Sequence, residues 1–303
     1  MARLLRALPI LAIATACAGA PIPAPPVAAP APIAVDRSDA DVVSADAESS
    51  TAAAVSAASI GVEAEAPTGL LVVVDPGHGG DKRGAVGPNR LQEKDAALAI
   101  ALALRDALEA MGHRVVLTRD SDRSLGLVPR IRLANELGAD LFVSVHLNAV
   151  PEGASTSGAY GVETYFLSAD ASDAGAAALA RAENDDDAAG APGDGDALGA
   201  ILADLARTEA HAHSSRLALA IHTALVGAIG ARDRGLRQAP FVVLQGADMP
   251  AVLVEVGYVS HPDEARRLAD PAHQRRVAAA IAAGISSFGK DVIDREAAQA
   301  VSR

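Results

Sequence analysis

Two histidines and two glutamates are spaced so that they can do chemistry together. His78 stands in Asp75-Pro76-Gly77-His78-Gly79-Gly80, just past the apolar run from Leu70 to Val74. His146 ends a second such run, Leu141 to Val145, and Glu255 falls inside a third, Ala251 to Val256. Glu93 opens a stretch with helical apolar spacing. Taken singly, each has a plain structural explanation. A histidine at a strand end is often only exposed, a glutamate at a helix start complements the dipole, and Glu255 can be a salt-bridged core carboxylate. Taken together they form a set. In open α/β sheets, ligands bind beyond the carboxyl ends of the strands, so three strand ends and one helix start bring two imidazoles and two carboxylates to one edge. Two histidines and one carboxylate, with a fourth position left to water, make a catalytic zinc set. Such an ion lowers the pKa of its water to about 7 and stabilises an oxyanion on the attacked carbonyl. A second carboxylate must then take the proton and pass it to the leaving amine, and Glu255 is the natural candidate. The donor types alone suit other metals as well.

A buried sheet has to position these groups. Strands are expected at 70–74, 114–118, 141–145, 161–167, 241–244 and 251–256. They alternate with helices at 94–111, 129–137, 215–229, 264–268 and 274–288. That rhythm predicts a single α/β domain over 69–289, with a mostly parallel or mixed twisted sheet and helices on both faces. Residues 290–303 read as a tail. Residues 168–213 break the rhythm: a helix at 174–182, an acidic Gly/Pro-containing stretch, and a helix carrying Leu198, Ile201, Leu202 and Leu205 on one face. They read as a helical insert.

Composition narrows the function classes. The 303 residues carry a net charge of −12, which argues against a nucleic-acid partner. The lone cysteine, Cys17, rules out an intramolecular disulfide and a cysteine-ligated zinc site. Residues 1–17 read as an export signal: Arg3 and Arg6 precede an apolar run too short to span a bilayer. Ala14-Thr15-Ala16-Cys17 resembles a lipobox, with Ala14 where leucine is usual, and predicts a lipidated Cys17; an ordinary cut after Ala16 or Ala18 is the alternative. Residues 18–68 are Pro/Ala-rich and then acidic, and read as a disordered linker.

Beyond this set, the sequence is similar to the zinc-dependent N-acetylmuramoyl-L-alanine amidases. The resemblance runs, in order, through Asp75 to Gly80, Glu93-Lys94-Asp95, Thr118-Arg119, Ala139 to Ala149, Gly161 to Tyr165, Phe241 to Leu244 and Met249 to Ser260. It implies one zinc ion held by His78, Glu93 and His146, with Glu255 as acid/base. The substrate it implies is peptidoglycan, cut between N-acetylmuramic acid and L-alanine of the stem peptide. His261 stands where the family has asparagine, which touches only loop detail. The insert resembles the regulatory segment of the cell-division amidases, in which a helix covers the site until an activator protein removes it. Glu183, in Ala180-Arg181-Ala182-Glu183-Asn184, then becomes an inhibitory fourth ligand; the other reading is a solvated helix residue. Asn148 is a candidate substrate contact, while Arg119, Arg130 and Asn135 read as braces. His113, His211, His213, His222, His261 and His273 lack ligand-like spacing. The resemblance places the protein in the periplasm of a Gram-negative bacterium, with a lipid anchor if Cys17 is modified. A zinc carboxypeptidase acting on the stem, or a non-catalytic wall-binding regulator, are the competing functions. Mass spectrometry of the mature N-terminus tests the leader: a lipid-modified Cys17 is expected, and a chain beginning at Gly19 would contradict it.

Overall fold

The computed structural model describes residues 69–150, 155–185 and 197–301, without the side chains of 197–209 and 292–301. The export signal, Cys17, the linker and most of the acidic stretch lie outside them. The chain forms β1 (Leu71–Pro76), α1 (Glu93–Ala110), β2 (Arg114–Leu117), α2 (Leu127–Glu136), β3 (Leu141–Asn148) and β4 (Val162–Leu167). It continues through α3 (Ala174–Asn184), α4 (Ala197–Ile229), β5 (Asp233–Ala239), a 3₁₀ turn (Val242–Leu244), β6 (Ala251–Tyr258), α5 (Pro262–Leu268) and α6 (Pro271–Val301).

The six strands form one sheet in the order β2-β1-β3-β6-β4-β5. β1, β2, β3 and β6 run parallel, β4 runs antiparallel to β6, and β5 runs parallel to β4. Every residue of β1, β3 and β6 is buried, which is why they read as unbroken apolar runs: helices cover both faces. On one face Val72, Val74 and Val254 pack with Leu104 of α1, Leu217 of α4 and Ile281 of α6. On the other, Val73, Phe142 and Leu253 pack with Ile131 of α2, Ala176 of α3 and Val243 of the turn. Among the described residues no helix is long and apolar enough to cross a membrane.

Three expectations need correction. Phe241 to Leu244 is not a strand; its apolar residues fill the core from a 3₁₀ turn. The sixth strand is instead β5, which is polar (Asp233, Arg234, Arg237, Gln238) because it is a half-exposed edge. The second insert helix and the helix expected at 215–229 are one, α4, since no Gly or Pro interrupts 201–226. The closing helix likewise runs on through the expected tail to Val301.

The active edge of the sheet is tied by a fully buried carboxylate. Asp75, on β1, accepts from Arg130 Nη1 of α2 at 2.8 Å and from Ser144 Oγ of β3 at 2.7 Å. It also accepts from Thr118 Oγ1, just past β2. Arg130 in turn donates to the carbonyls of Pro76 (2.7 Å) and His78 (2.8 Å). Burial pushes the Asp75 carboxyl up, but Arg130 and the two hydroxyls outweigh it and hold it below its ordinary range. A depressed carboxylate contributes stability above its unfolded pKa and loses it as pH falls through the folded one. Asp75→Ala leaves Arg130 buried and unpaired, so it should cost about 3–5 kcal/mol in urea unfolding at neutral pH. The difference from wild type should narrow below about pH 4; a cost under about 1 kcal/mol at neutral pH would remove Asp75 as the strut.

Candidate metal centre

His78, Glu93 and His146 converge where β1, α1 and β3 meet, and a fourth donor joins them. One ligand atom from each of His78, Glu93, His146 and Glu183 lies within 4.8 Å of the other three. Glu93 Oε1 stands 3.1 Å from His78 Nε2 and 3.2 Å from His146 Nδ1. Glu183 Oε2 faces the same two nitrogens at 3.3 and 3.1 Å. Glu183 is therefore not a solvated helix residue: α3 lies over the site and aims this side chain into it.

The backbone that delivers these groups is specific. His78 has a positive φ of 56°, a conformation few non-glycine residues hold unless their surroundings impose it. Here Arg130 grips its carbonyl, while Arg119 donates to the carbonyls of Pro76 (3.0 Å) and Gly77 (2.7 Å). The two arginines do brace the loop. A Cβ at Gly77 would sit 2.5 Å from the His146 ring, so only glycine lets the loop pass that close. Glu93 is oriented by two backbone donors, Ala85 N to Oε2 and Leu147 N to Oε1, each at 2.9 Å.

Two carboxylates aimed at two imidazoles in a buried space require positive charge there. Burial pulls the His146 imidazole down, but Glu183 and then Glu93 outweigh it and hold it well above the ordinary histidine range. Burial pushes the Glu93 carboxyl up, and His78 followed by His146 override this and hold it far below the carboxylate range. A donor set of two nitrogens and two carboxylates equally fits a divalent ion.

Glu255 lies beside this cluster rather than in it. It pairs in register with His146 across β3 and β6. Both of its carboxyl oxygens are buried and without a hydrogen-bond partner among the described residues. Burial pushes its carboxyl well above the usual range; His146 opposes this, and Glu93, Glu183 and Glu163 add to it. Of the carboxyls in the site it is the one whose surroundings favour the protonated form.

A second buried carboxylate was not assigned a role from sequence. Glu163 pairs with Glu255 on its other side, across β6 and β4. It accepts from Tyr165 OH at 2.6 Å, Arg234 Nε at 2.6 Å, Tyr258 OH at 3.0 Å and Asn148 Nδ2 at 3.1 Å. Asn148 thus lies on the cleft wall, but its amide is committed to Glu163. The available signal was a lone charge inside the buried strand Val162 to Leu167; apart from Tyr165 on the same strand, its partners come from β3, β5 and β6, which no local pattern links. The site opens into a cleft of about 990 Å³, lined by His78, Glu163, Arg234, Arg237, Tyr258 and by α3 through Glu183.

Comparison with known proteins adds to this geometry. Residues 72–287 match the N-acetylmuramoyl-L-alanine amidase family. Over 222 residues the chain is 37% identical to the N-acetylmuramoyl-L-alanine amidase AmiA of Escherichia coli, covering 72% of this chain and 75% of that one. Its fold is similar to that of the amidase AmiC2 of Nostoc punctiforme, with a TM-score of 0.55 at 31% identity over 73% of this chain and 97% of that one. It is also similar to the CwlD amidase of Clostridioides difficile, solved in complex with the GerS lipoprotein, with a TM-score of 0.54 at 25% identity over 73% and 98% of the two chains.

A metal binds these imidazoles only in their unprotonated form, so its uptake competes with protons. Calorimetric titration of the metal-free chain, in buffers of differing ionisation enthalpy, should show about one proton released per ion at neutral pH, with affinity falling as pH is lowered. His146→Ala should abolish binding. Metal uptake with no proton released would contradict the arrangement.

Proposed function

The chain belongs to the N-acetylmuramoyl-L-alanine amidase family, and on that footing we propose that it hydrolyses the amide between N-acetylmuramic acid and L-alanine of the peptidoglycan stem through a single zinc site. The observation that carries the reading is the pairing of His146 with Glu255, which sets a buried, partnerless carboxyl against the four-donor cluster. His78, Glu93 and His146 would hold the ion, which when bound supplies an activated water and charge stabilisation for the developing oxyanion. Glu255 would take a proton from the attacking water and pass it to the leaving amine of L-alanine. Its raised affinity for a proton suits both halves of the task. The strap of Arg119 and Arg130 keeps His78 from drifting, and Gly77 keeps the loop clear of the His146 ring.

In this reading the fourth donor is inhibitory. Glu183 faces the same two histidine nitrogens as Glu93 and would stand where the attacking water must enter, so the described arrangement would be closed. α3 is held down by Asn184, which donates to the carbonyl of Pro240 and accepts from Val242 N, each at 2.8 Å. Its small residues Ala176 and Ala180 are buried against the core. Opening requires a partner that pulls α3 away, and the insert over 168–213 is the segment such an activator would grip. The association of the CwlD amidase with a lipoprotein supports the idea that partners act on this fold. We read residues 1–17 as an export signal with Cys17 as the lipid attachment point. Residues 18–68 are then a spacer, 69–289 the catalytic domain, and the place of action the periplasmic wall during daughter-cell separation.

Digestion of purified peptidoglycan tests the reading. Wild type should expose L-alanine amino ends on intact stems, and Glu255→Ala should lose about a hundredfold to ten-thousandfold in rate while retaining its metal. Removal of 174–196 should raise the basal rate. Release of terminal stem amino acids would point to a carboxypeptidase, and an unchanged basal rate would sink the inhibitory role of Glu183.

A further inference from the structure

The cleft wall opposite the metal donors carries more positive charge than its buried carboxylate uses. Glu163 is already neutralised by Arg234, whose Nε approaches to 2.6 Å and whose guanidinium lies over the Tyr258 ring at 4.9 Å. Arg237, two strand positions past Gly235 on β5, stands 3.6 Å from the same carboxylate through Nε, beyond hydrogen-bond reach. That Nε is buried without a hydrogen-bond partner among the described residues. Its terminal nitrogen instead pairs with Asp173 Oδ2. Asp173 is the N-cap of α3, its other oxygen accepting from Ala176 N at 2.9 Å. The charge that satisfies Arg237 therefore belongs to the helix that must leave before a substrate reaches the metal. Once it leaves, two guanidinium groups face the cleft with a single buried carboxylate between them.

We propose that Arg237, backed by Arg234, forms a carboxylate-binding subsite for the distal end of the stem peptide, and that Asp173 occupies it in the closed state in place of the substrate. The proposal rests on the amidase reading above. Spacing along α3 supports it. Asp173 and Glu183 are ten residues apart in sequence, and at 1.5 Å per residue a helix separates them by about 15 Å. An extended peptide rises about 3.4 Å per residue, so a four-residue stem with its scissile amide at the metal reaches about 14 Å with its terminal carboxylate. The insert thus spans the cleft as a substrate would: Glu183 fills the metal end and Asp173 fills the arginine end. A two-residue stem is too short to reach Arg237.

The test compares two soluble substrates, a muramoyl tetrapeptide and a muramoyl dipeptide, with the full chain carrying Glu183→Ala to relieve the closed state. The ratio of kcat/KM for the two is the readout, because any change in how often α3 opens scales both alike. Arg237→Ala in this background should lower the tetrapeptide-to-dipeptide ratio about tenfold, the scale of one charge-assisted hydrogen bond, chiefly through KM. Arg237→Lys should retain part of the preference. Amidation of the terminal carboxylate should lower the ratio for the Arg237 enzyme to the same extent and leave Arg237→Ala unaffected. An unchanged ratio in Arg237→Ala would overturn the subsite and reduce the Asp173 pair to a mooring for α3. Cleavage of neither substrate by the Arg237-containing enzyme would overturn the amidase reading and the subsite with it.

Discussion

Everything in this molecule answers to one electrostatic constraint: two carboxylates, Glu93 and Glu183, share a buried space with two imidazoles, His78 and His146. Such a cluster is stable only with positive charge at its centre, as a proton or as a metal ion. Three of the four donors are delivered by rigid elements of the domain, and the fourth arrives on a helix attached at its ends by Asp173 and Asn184. In the proposed reading, that asymmetry separates a permanent site from a removable plug. The proposed acid/base role is also consistent with Glu255 having no hydrogen-bond partner among the described residues. A carboxyl proposed to exchange protons is of no use if a buried guanidinium already holds it ionised, as Arg130 does for Asp75.

The sheet makes this arrangement affordable by placing like with like. His146, Glu255 and Glu163 are consecutive neighbours across β3, β6 and β4, so a histidine of the metal-binding cluster, the carboxyl proposed to carry the proton and an anchored carboxylate form a row on the face that α3 covers. β4 runs antiparallel to β6, and this brings Glu163 to the row from near the start of its strand. Glu163 then gathers Asn148, Tyr165, Tyr258 and Arg234, which stiffens the wall facing the substrate. Beneath the row, Asp75 and the two arginines lock the β1 loop, including the left-handed His78.

The central strands were legible in the sequence because burial on both faces demands unbroken apolar runs, as in Leu70 to Val74 and Leu141 to Val145. From those runs the placement of His78, His146, Glu93 and Glu255 followed, since parallel strands present their ends to one edge. β5 was not legible: an edge strand needs apolar residues on neither face, and Asp233 to Gln238 looks like a loop. Phe241 to Leu244 failed in the opposite sense, an apolar run whose backbone turns while its side chains still fill the core. The roles of Glu163, Arg234 and Arg237 were hidden for one shared reason. Each depends on a partner brought by a different element, and a strand pairing that was not foreseen cannot announce its contacts.

X-ray absorption at the zinc edge, on the purified full chain and on its Glu183→Ala variant, tests the central claim most directly. The account predicts one zinc per chain in both. Wild type should show two histidine nitrogens and two carboxylate oxygens, and in the variant one carboxylate should give way to water. An identical ligand set in the two proteins would contradict the account, as would a bound zinc without histidine scattering.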